Sequence, residues 1–143
     1  MYTQALLALP VMGFIVAALL QGTMERKPAV VKFWALLVFA AIAAAAVLAK
    51  AEIGDEYLGP AVFGSALSFG LTDLSWAFVL MIAGITVLTV FFTIGSLRGT
   101  GGYRMYYAWL FAKVFGMFGL VMSRDLLSFF IMWEIMSWAT YFV

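Results

Sequence analysis

A single carboxylate, Glu134, lies inside the long apolar run of residues 126–143. An ionised side chain near the centre of a bilayer costs about 3 kcal/mol on insertion scales. Charges at such positions are typical of ion or proton pathways, and they have a counter-charge nearby. Glu134 is therefore predicted to exchange a proton, or to bind a cation, inside a membrane.

The other ionisable residue inside a predicted span is Lys113, and its depth matches that of Glu134. Lys113 lies 11 residues before Arg124, and Glu134 lies 10 residues after it. At about 1.5 Å per residue, both would sit roughly 15 Å from the turn between their helices. Neighbouring helices lie about 8–10 Å apart, so the two side chains could meet directly or through water. Two alternatives stay open: the pair only holds the helices together, or each residue serves a different partner.

Three further polar residues are weaker candidates for the same pathway. Ser137 follows Glu134 by one helical turn, and its hydroxyl either extends a hydrogen-bonded path or bonds its own backbone. Asp125, in the tight turn, is more typical of a solvated turn than of a proton carrier. Asp73 precedes an apolar run, so it is predicted to cap that helix rather than to carry a proton.

The composition predicts a membrane protein and excludes several kinds of site. Of the 143 residues, 66% are hydrophobic and 10% are charged, whereas a soluble domain carries roughly 25% charged residues. The chain has no cysteine and no histidine, which excludes disulfides, cysteine nucleophiles and metal sites built on thiolate or imidazole. No metal, cofactor or catalytic redox site is predicted. The net charge of +1 indicates no nucleic-acid partner.

The predicted fold is an all-α, polytopic membrane protein, a single membrane domain over residues 1–143. Spanning a bilayer takes about 20 helical residues, and five segments qualify: about 2–21, 29–49, 74–97, 105–122 and 126–143. Between the second and third spans, residues 62–71 alternate small and polar residues. That pattern predicts a short extended hairpin or an interfacial segment.

The distribution of basic residues predicts the orientation, because cytoplasmic connections carry an excess of lysine and arginine. With the N-terminus outside, the inner connections hold five basic residues and the outer connections hold two. The five are Arg26, Lys27, Lys32, Arg98 and Arg104, and the two are Lys50 and Arg124. We therefore expect a multi-pass protein of the plasma membrane, with its N-terminus outside and its C-terminus cytoplasmic.

Residues 106–142 resemble the fourth and fifth helices of the antiporter-like subunits. This family comprises the proton-channel subunits of respiratory complex I, the large subunits of Mrp-type cation/proton antiporters, and their relatives in membrane-bound hydrogenases. The most specific feature is a helix, a tight turn holding Asp125, and a second helix carrying Trp133-Glu134. The upstream order of three helices, with an outer segment before Leu71–Ser75, also fits. The resemblance covers the whole chain, but only its last part is distinctive.

The resemblance implies that Glu134 is a proton-pathway residue and that residues 105–143 begin an antiporter-like repeat. In the family, this glutamate pairs with a lysine on a later, broken helix of a five-helix inverted repeat. That helix would lie beyond residue 143. Either Lys113 replaces the lysine or another chain supplies it. The chain is then a naturally split or truncated subunit, a fragment of a full-length subunit, or a duplicated remnant with a scaffold role.

The function predicted from the sequence is that of a truncated or split antiporter-like subunit contributing to H⁺ or Na⁺ translocation. Its expected partners are the lipid bilayer and other membrane subunits of a multisubunit complex. Whether that complex is an enzyme stays open, since any redox chemistry would belong to other subunits. One alternative is a structural or assembly subunit with no ion pathway of its own. Another is a small self-assembling transporter with a glutamate in its first helix, which the uncharged first span disfavours.

Overall fold

Five helices dominate the structure, a computed structural model that describes residues 1–20, 28–96 and 105–143. Their bounds within these ranges are α1 (Tyr2–Leu19), α2 (Pro28–Leu48), α3 (Asp73–Ser96), α4 (Tyr106–Met122) and α5 (Leu126–Phe142). Each coincides with a predicted apolar segment to within a few residues. The predicted ends at residues 21 and 97 lie outside the described residues.

Three of these helices, α1, α2 and α3, are long and apolar enough to cross a membrane. The other two, α4 and α5, are apolar but have 17 residues each. At 1.5 Å per residue they measure about 25 Å, less than the roughly 30 Å of a typical hydrocarbon core. Five helices are therefore present, and five complete spans stay a prediction.

The orientation across the membrane also stays a prediction. Four of the seven basic residues on which it depends, Arg26, Lys27, Arg98 and Arg104, lie outside the described residues. Of the other three, Lys32 donates a hydrogen bond from its ammonium group to the carbonyl of Ile94, at 3.3 Å. This contact places a positive charge at the C-terminal end of α3, where it stabilises the helix.

The helix α4 occupies the centre of the bundle. It packs against α1, α3 and α5, while α2 packs between α1 and α3. The ring of Phe111 in α4 stacks on Phe39 of α2, with 4.3 Å between centroids. The main neighbours of α5 are α4 and the strand β2 defined below. One side of α5 is therefore buried, and the rest of its surface faces away from the chain.

The prediction that the fold is entirely helical is wrong in one segment. A one-turn 3₁₀ helix (Ala49–Glu52) and an antiparallel hairpin, β1 (Glu56–Val62) and β2 (Ser65–Gly70), join α2 to α3. The expected hairpin is confirmed, but its first strand begins at Glu56 rather than near Val62. Glu56 and the Gly-Pro pair in β1 depart from the usual strand composition, which explains why the sequence did not reveal that strand.

The start of α3 corrects the predicted role of Asp73. The hydroxyl of Thr72, not the Asp73 carboxylate, accepts the hydrogen bond from the Ser75 backbone N–H, at 3.2 Å. Asp73 is instead the exposed first residue of the helix. The cap lies one residue earlier because a capping oxygen reaches the N–H group three residues on, and Thr72 has that spacing to Ser75.

Replacing the capping threonine is expected to destabilise the protein more than replacing the aspartate beside it. Thr72→Ala removes the cap and should cost about 1 kcal/mol of stability. Asp73→Ala removes only the attraction of an exposed charge to the helix dipole, about 0.3 kcal/mol. Thermal unfolding of both variants in one detergent measures the difference. A larger loss for Asp73→Ala than for Thr72→Ala would contradict this assignment.

Candidate functional site

Glu134 lies on the exposed surface of α5, near the middle of the helix. It lines a shallow, open depression of about 440 Å³ together with Ser137, Trp138 and Tyr141. The three neighbours are mostly exposed as well. The predicted association of Ser137 with Glu134 on one face is thus what the structure shows, whereas the pathway role of either residue stays a prediction.

The packing of α5 on α4 explains why Glu134 faces outward. The buried side of α5 carries Ser128, Met132 and Ala139, and Met136 lies against Gly116 of α4. Successive residues of an α-helix turn by about 100°. Glu134 is two residues from both methionines, so it projects from the opposite side of α5.

The structure does not bring Lys113 and Glu134 together. Lys113 is half-buried on α4, and its ammonium group forms no ion pair or hydrogen bond with Glu134 among the residues that the structure describes. They lie at similar numbers of residues from the turn between α4 and α5, but Glu134 faces away from α4. A direct pair within this hairpin of helices, one of the alternatives that the sequence left open, is therefore absent from the structure.

The polar contacts of Asp125 hold the turn between α4 and α5. As the N-cap of α5, Asp125 accepts a hydrogen bond from the Ser128 N–H at 2.9 Å and another from the Ser128 hydroxyl. It also accepts bonds from the N–H and the hydroxyl of Ser68 in β2, at 3.0 and 2.8 Å. The turn was predicted to be solvated, but these hydrogen bonds attach it to the hairpin.

A second set of contacts strengthens the same junction. The N–H of Arg124 donates to the Ser68 carbonyl at 3.0 Å, and the Arg124 guanidinium pairs with Glu56 at 3.0 Å. Ser123 forms an isolated antiparallel bridge with Phe69. The sequence alone indicated neither Ser68 nor Ser128 as a partner of Asp125. The spacing from Asp125 to Ser128 is a local capping signal, but nothing local connects Asp125 to Ser68, which is 57 residues away.

These hydrogen bonds keep Asp125 ionised. The hydroxyl and N–H of Ser128 hold the pKa of the Asp125 carboxyl well below its usual value of 3.8; partial desolvation opposes this shift, and Ser68 adds to it. A carboxylate that stays ionised at neutral pH is poorly suited to exchanging protons. The geometry therefore favours a structural role for Asp125, and its pathway role stays the weaker prediction.

The attachment of the hairpin is expected to be sensitive to acid only at low pH. Because folding lowers the pKa of Asp125, its stabilising contribution is complete above about pH 3.8 and is lost as the pH falls further. Amide hydrogen exchange at Ser68 should stay slow from about pH 7 to about pH 5 and speed up below about pH 4, after correction for intrinsic rates. Asp125→Asn should exchange faster at neutral pH and lack the acid step. Identical profiles for both proteins would contradict the role of Asp125.

No group of three or more Asp or Glu side chains that could hold a metal ion occurs within residues 1–20, 28–96 and 105–143. Asp73, the last of the predicted site residues, lies in the first turn of α3, at the end of the bundle that carries the hairpin. It is part of no site with Glu134. The candidate site thus consists of Glu134 and Ser137 on the open side of α5. Lys113 lies on α4 and does not contact Glu134.

The sequence predicted a resemblance to the antiporter-like subunits of respiratory membrane complexes, and the comparisons confirm it at low identity. The fold is similar to that of a chain in the membrane-bound sulfane sulfur reductase, an archaeal respiratory membrane complex. The TM-score is 0.81 and the identity is 16%, over 97% of this chain and 29% of that one. No protein-family model matches the chain.

Curated proteins with similar sequences also belong to respiratory membrane complexes of this kind. The chain is 34% identical over 84 residues to NAD(P)H-quinone oxidoreductase chain 4 of the chloroplasts of Hordeum vulgare and of Triticum aestivum. It is 28% identical over 119 residues to NAD(P)H-quinone oxidoreductase chain 5 of Synechocystis sp.. These matches cover 59% and 75% of this chain, but only 16% and 18% of the relatives. The chain thus corresponds to a small part of each relative's length.

Proposed function

We propose that this chain contributes to H⁺ or Na⁺ translocation as an antiporter-like subunit, or part of one, in a multisubunit membrane complex. Glu134 would be its intramembrane proton-relay residue. The observation that carries the proposal is the position of this carboxylate. It lies in the middle of an apolar helix and faces away from its own bundle. A charge in that position is costly unless a polar pathway or a cation meets it.

The mechanism follows from the coupling between a carboxylate and a nearby cation. A cation close to Glu134 favours the ionised form, and its withdrawal favours the protonated form. Movement of a basic group towards and away from α5 would therefore release and load a proton. Since Lys113 does not contact Glu134, this cation would come from a segment or subunit that covers the open side of α5. The hydroxyl of Ser137, in the same depression, would extend the hydrogen-bonded path.

The proposed setting is the plasma membrane, with the N-terminus outside and the C-terminus cytoplasmic. The partners would be other membrane subunits, as the respiratory complexes of the relatives suggest. Any electron transfer would take place in those partners. The test is ion translocation by the assembled complex carrying Glu134→Gln, and unchanged translocation would contradict the relay role.

A structural or assembly function is the second candidate, and one observation favours it. The open side of α5 carries exposed aromatic rings beside Glu134, among them Trp138 (62% exposed) and Tyr141 (81% exposed). Aromatic side chains are typical of the buried centres of protein interfaces. Under this alternative, Trp138→Ala would release the chain from its complex, whereas Glu134→Gln would leave ion translocation intact. Under the relay function, Glu134→Gln would stop translocation in a complex that still assembles.

A further inference from the structure

An apolar groove of about 450 Å³ runs between α1, the hairpin, α4 and α5. It lies beside the buried side of α5 and does not include Glu134. Its lining is almost wholly aliphatic or aromatic, and it includes Ala8, Val11, Met12, Phe115, Ile131 and Ile135. A cavity of this size and composition is typical of sites that hold an apolar ligand.

The groove follows the helix axes from the hairpin end towards the middle of the bundle. On α1 it extends from Gln4 to Met12, a rise of about 12 Å. On α5 it reaches Ile135, which lies about 15 Å from the N-cap at Asp125. If the helices cross the membrane, the groove runs from one membrane surface towards the midplane, in the direction of a lipid acyl chain.

The mouth of the groove is polar and acidic. Gln4 and Tyr57 line both the groove and an adjoining pocket of about 220 Å³, whose wall includes Glu52, Asp55 and Glu56. Among the described residues, the one cationic group at either cavity is the N-terminal ammonium of Met1, which pairs with Glu52 at 2.7 Å. A ligand with an apolar tail in the groove would therefore place its head group among carboxylates.

Two of the three carboxylates at the mouth are already paired. Glu52 accepts hydrogen bonds from the N–H groups of Tyr2 and Thr3, both at 2.8 Å, and thereby caps the start of α1. Glu56 pairs with Arg124 at 3.0 Å. The exposed carboxylate of Asp55 has no ion-pair partner within the described part of the chain. One negative charge is thus left to meet a positively charged head group.

We infer that this groove binds one phosphatidylethanolamine, with an acyl chain along α1 and the ammonium group at Asp55. The Gln4 amide and the Tyr57 hydroxyl donate hydrogen bonds to the phosphate. An anionic lipid is disfavoured because the mouth holds three carboxylates, and its one ammonium group among the described residues, that of Met1, is already paired with Glu52. Phosphatidylcholine is disfavoured because its quaternary ammonium group has no N–H to donate to Asp55. This site is separate from the proposed ion pathway, and its presence does not depend on that function.

Lipid retention by the purified full-length chain tests the inference. The protein is reconstituted in turn with phosphatidylethanolamine, phosphatidylcholine or phosphatidylglycerol, returned to detergent, and examined by native mass spectrometry. We expect one retained phosphatidylethanolamine per chain, preferred over the other lipids. Ala8→Trp fills the groove and should lower retention of every lipid about tenfold or more. Ala40→Trp, at an exposed alanine of α2, is the matched control and should retain lipid normally.

The substitution Asp55→Asn tests recognition of the head group separately from binding of the acyl chain. It should lower the preference for phosphatidylethanolamine over phosphatidylcholine about two- to fivefold, the size of an exposed ion pair, and leave tail binding in place. Equal retention of the three lipids by the unmodified chain would overturn the head-group assignment. Unchanged retention in Ala8→Trp would overturn the groove itself.

Photo-crosslinking gives a second measurement that does not depend on variants. A phosphatidylethanolamine with a diazirine on its acyl chain should label the segments 4–12 and 131–135. Labelling confined to other helices would overturn the assignment. Exclusion of the probe from this groove in the assembled complex would show that a protein segment occupies it, and would also overturn the inference.

Discussion

Replacing Glu134 by glutamine is expected to lower ion translocation by the assembled complex about tenfold or more, the scale of losing one positioned proton carrier. Glutamine keeps the shape of the side chain, but it neither binds nor releases a proton at physiological pH. Glu134→Asp keeps the carboxylate and shortens its reach, so it should retain part of the activity. Proton or sodium flux into vesicles that contain the whole complex is the measurement.

The position of Glu134 makes this test specific to function. The side chain is exposed, and it forms no hydrogen bond or ion pair with any other described residue. Glutamine has nearly the same shape and volume as glutamate, so the substitution leaves the packing of α5 unchanged. Glu134→Gln should therefore assemble and unfold like the unmodified chain. Glu56→Gln, which only breaks a partly exposed pair with Arg124, is the matched control and should translocate normally. Equal flux in the two variants would contradict the relay role of Glu134.

Adding one methyl group at Gly116 is expected to force the helices α4 and α5 apart. A Cβ at this position would lie 2.8 Å from the Met136 backbone nitrogen and 2.9 Å from its Cα. Backbone atoms cannot rotate aside, so α4 and α5 must move apart. Such overpacking costs about 1–3 kcal/mol. We expect Gly116→Ala to lower the thermal unfolding temperature and, because α5 carries Glu134, to lower translocation too.

Two other glycines provide graded controls for this prediction. At Gly119 the added methyl would meet the side chain of Met132, which is flexible and can move aside. Gly119→Ala should therefore cost less than Gly116→Ala. At Gly84 in α3 no atom lies within 4 Å of the added Cβ. Gly84→Ala should be neutral, or stabilising by up to about 1 kcal/mol through its helix propensity. Similar unfolding temperatures for Gly116→Ala and Gly84→Ala would contradict the close contact.

Much of the local structure was predictable because its signals are local. Long apolar runs located the helices to within a few residues. The predicted position of the α3 N-cap was wrong by one residue, since Thr72 and Asp73 are both good capping residues and only the geometry of the folded chain distinguishes them. The first strand of the hairpin was missed because its composition is typical of a loop.

Contacts between distant segments could not be predicted from the sequence. The bonds from Ser68 to Asp125 join residues 57 positions apart, and Glu52 caps α1 from 49 residues away. Nothing in the sequence near Ser68 or Glu52 indicates its partner, because these hydrogen bonds form only when the distant elements pack together. The apolar groove has the same origin, since its walls come from four separate elements.

The sequence by itself determined that Glu134 and Lys113 lie at similar depths, because depth along a helix is simply the number of residues multiplied by the rise per residue. Only the tertiary structure decided that they do not meet. The direction in which a side chain points depends on which face of its helix packs against a neighbour. Because Gly116 has no side chain, the Met136 side of α5 packs closely against α4. Glu134, on the opposite side of α5, therefore faces outward. That rotation is fixed by contacts between two helices, and neither helix specifies it alone.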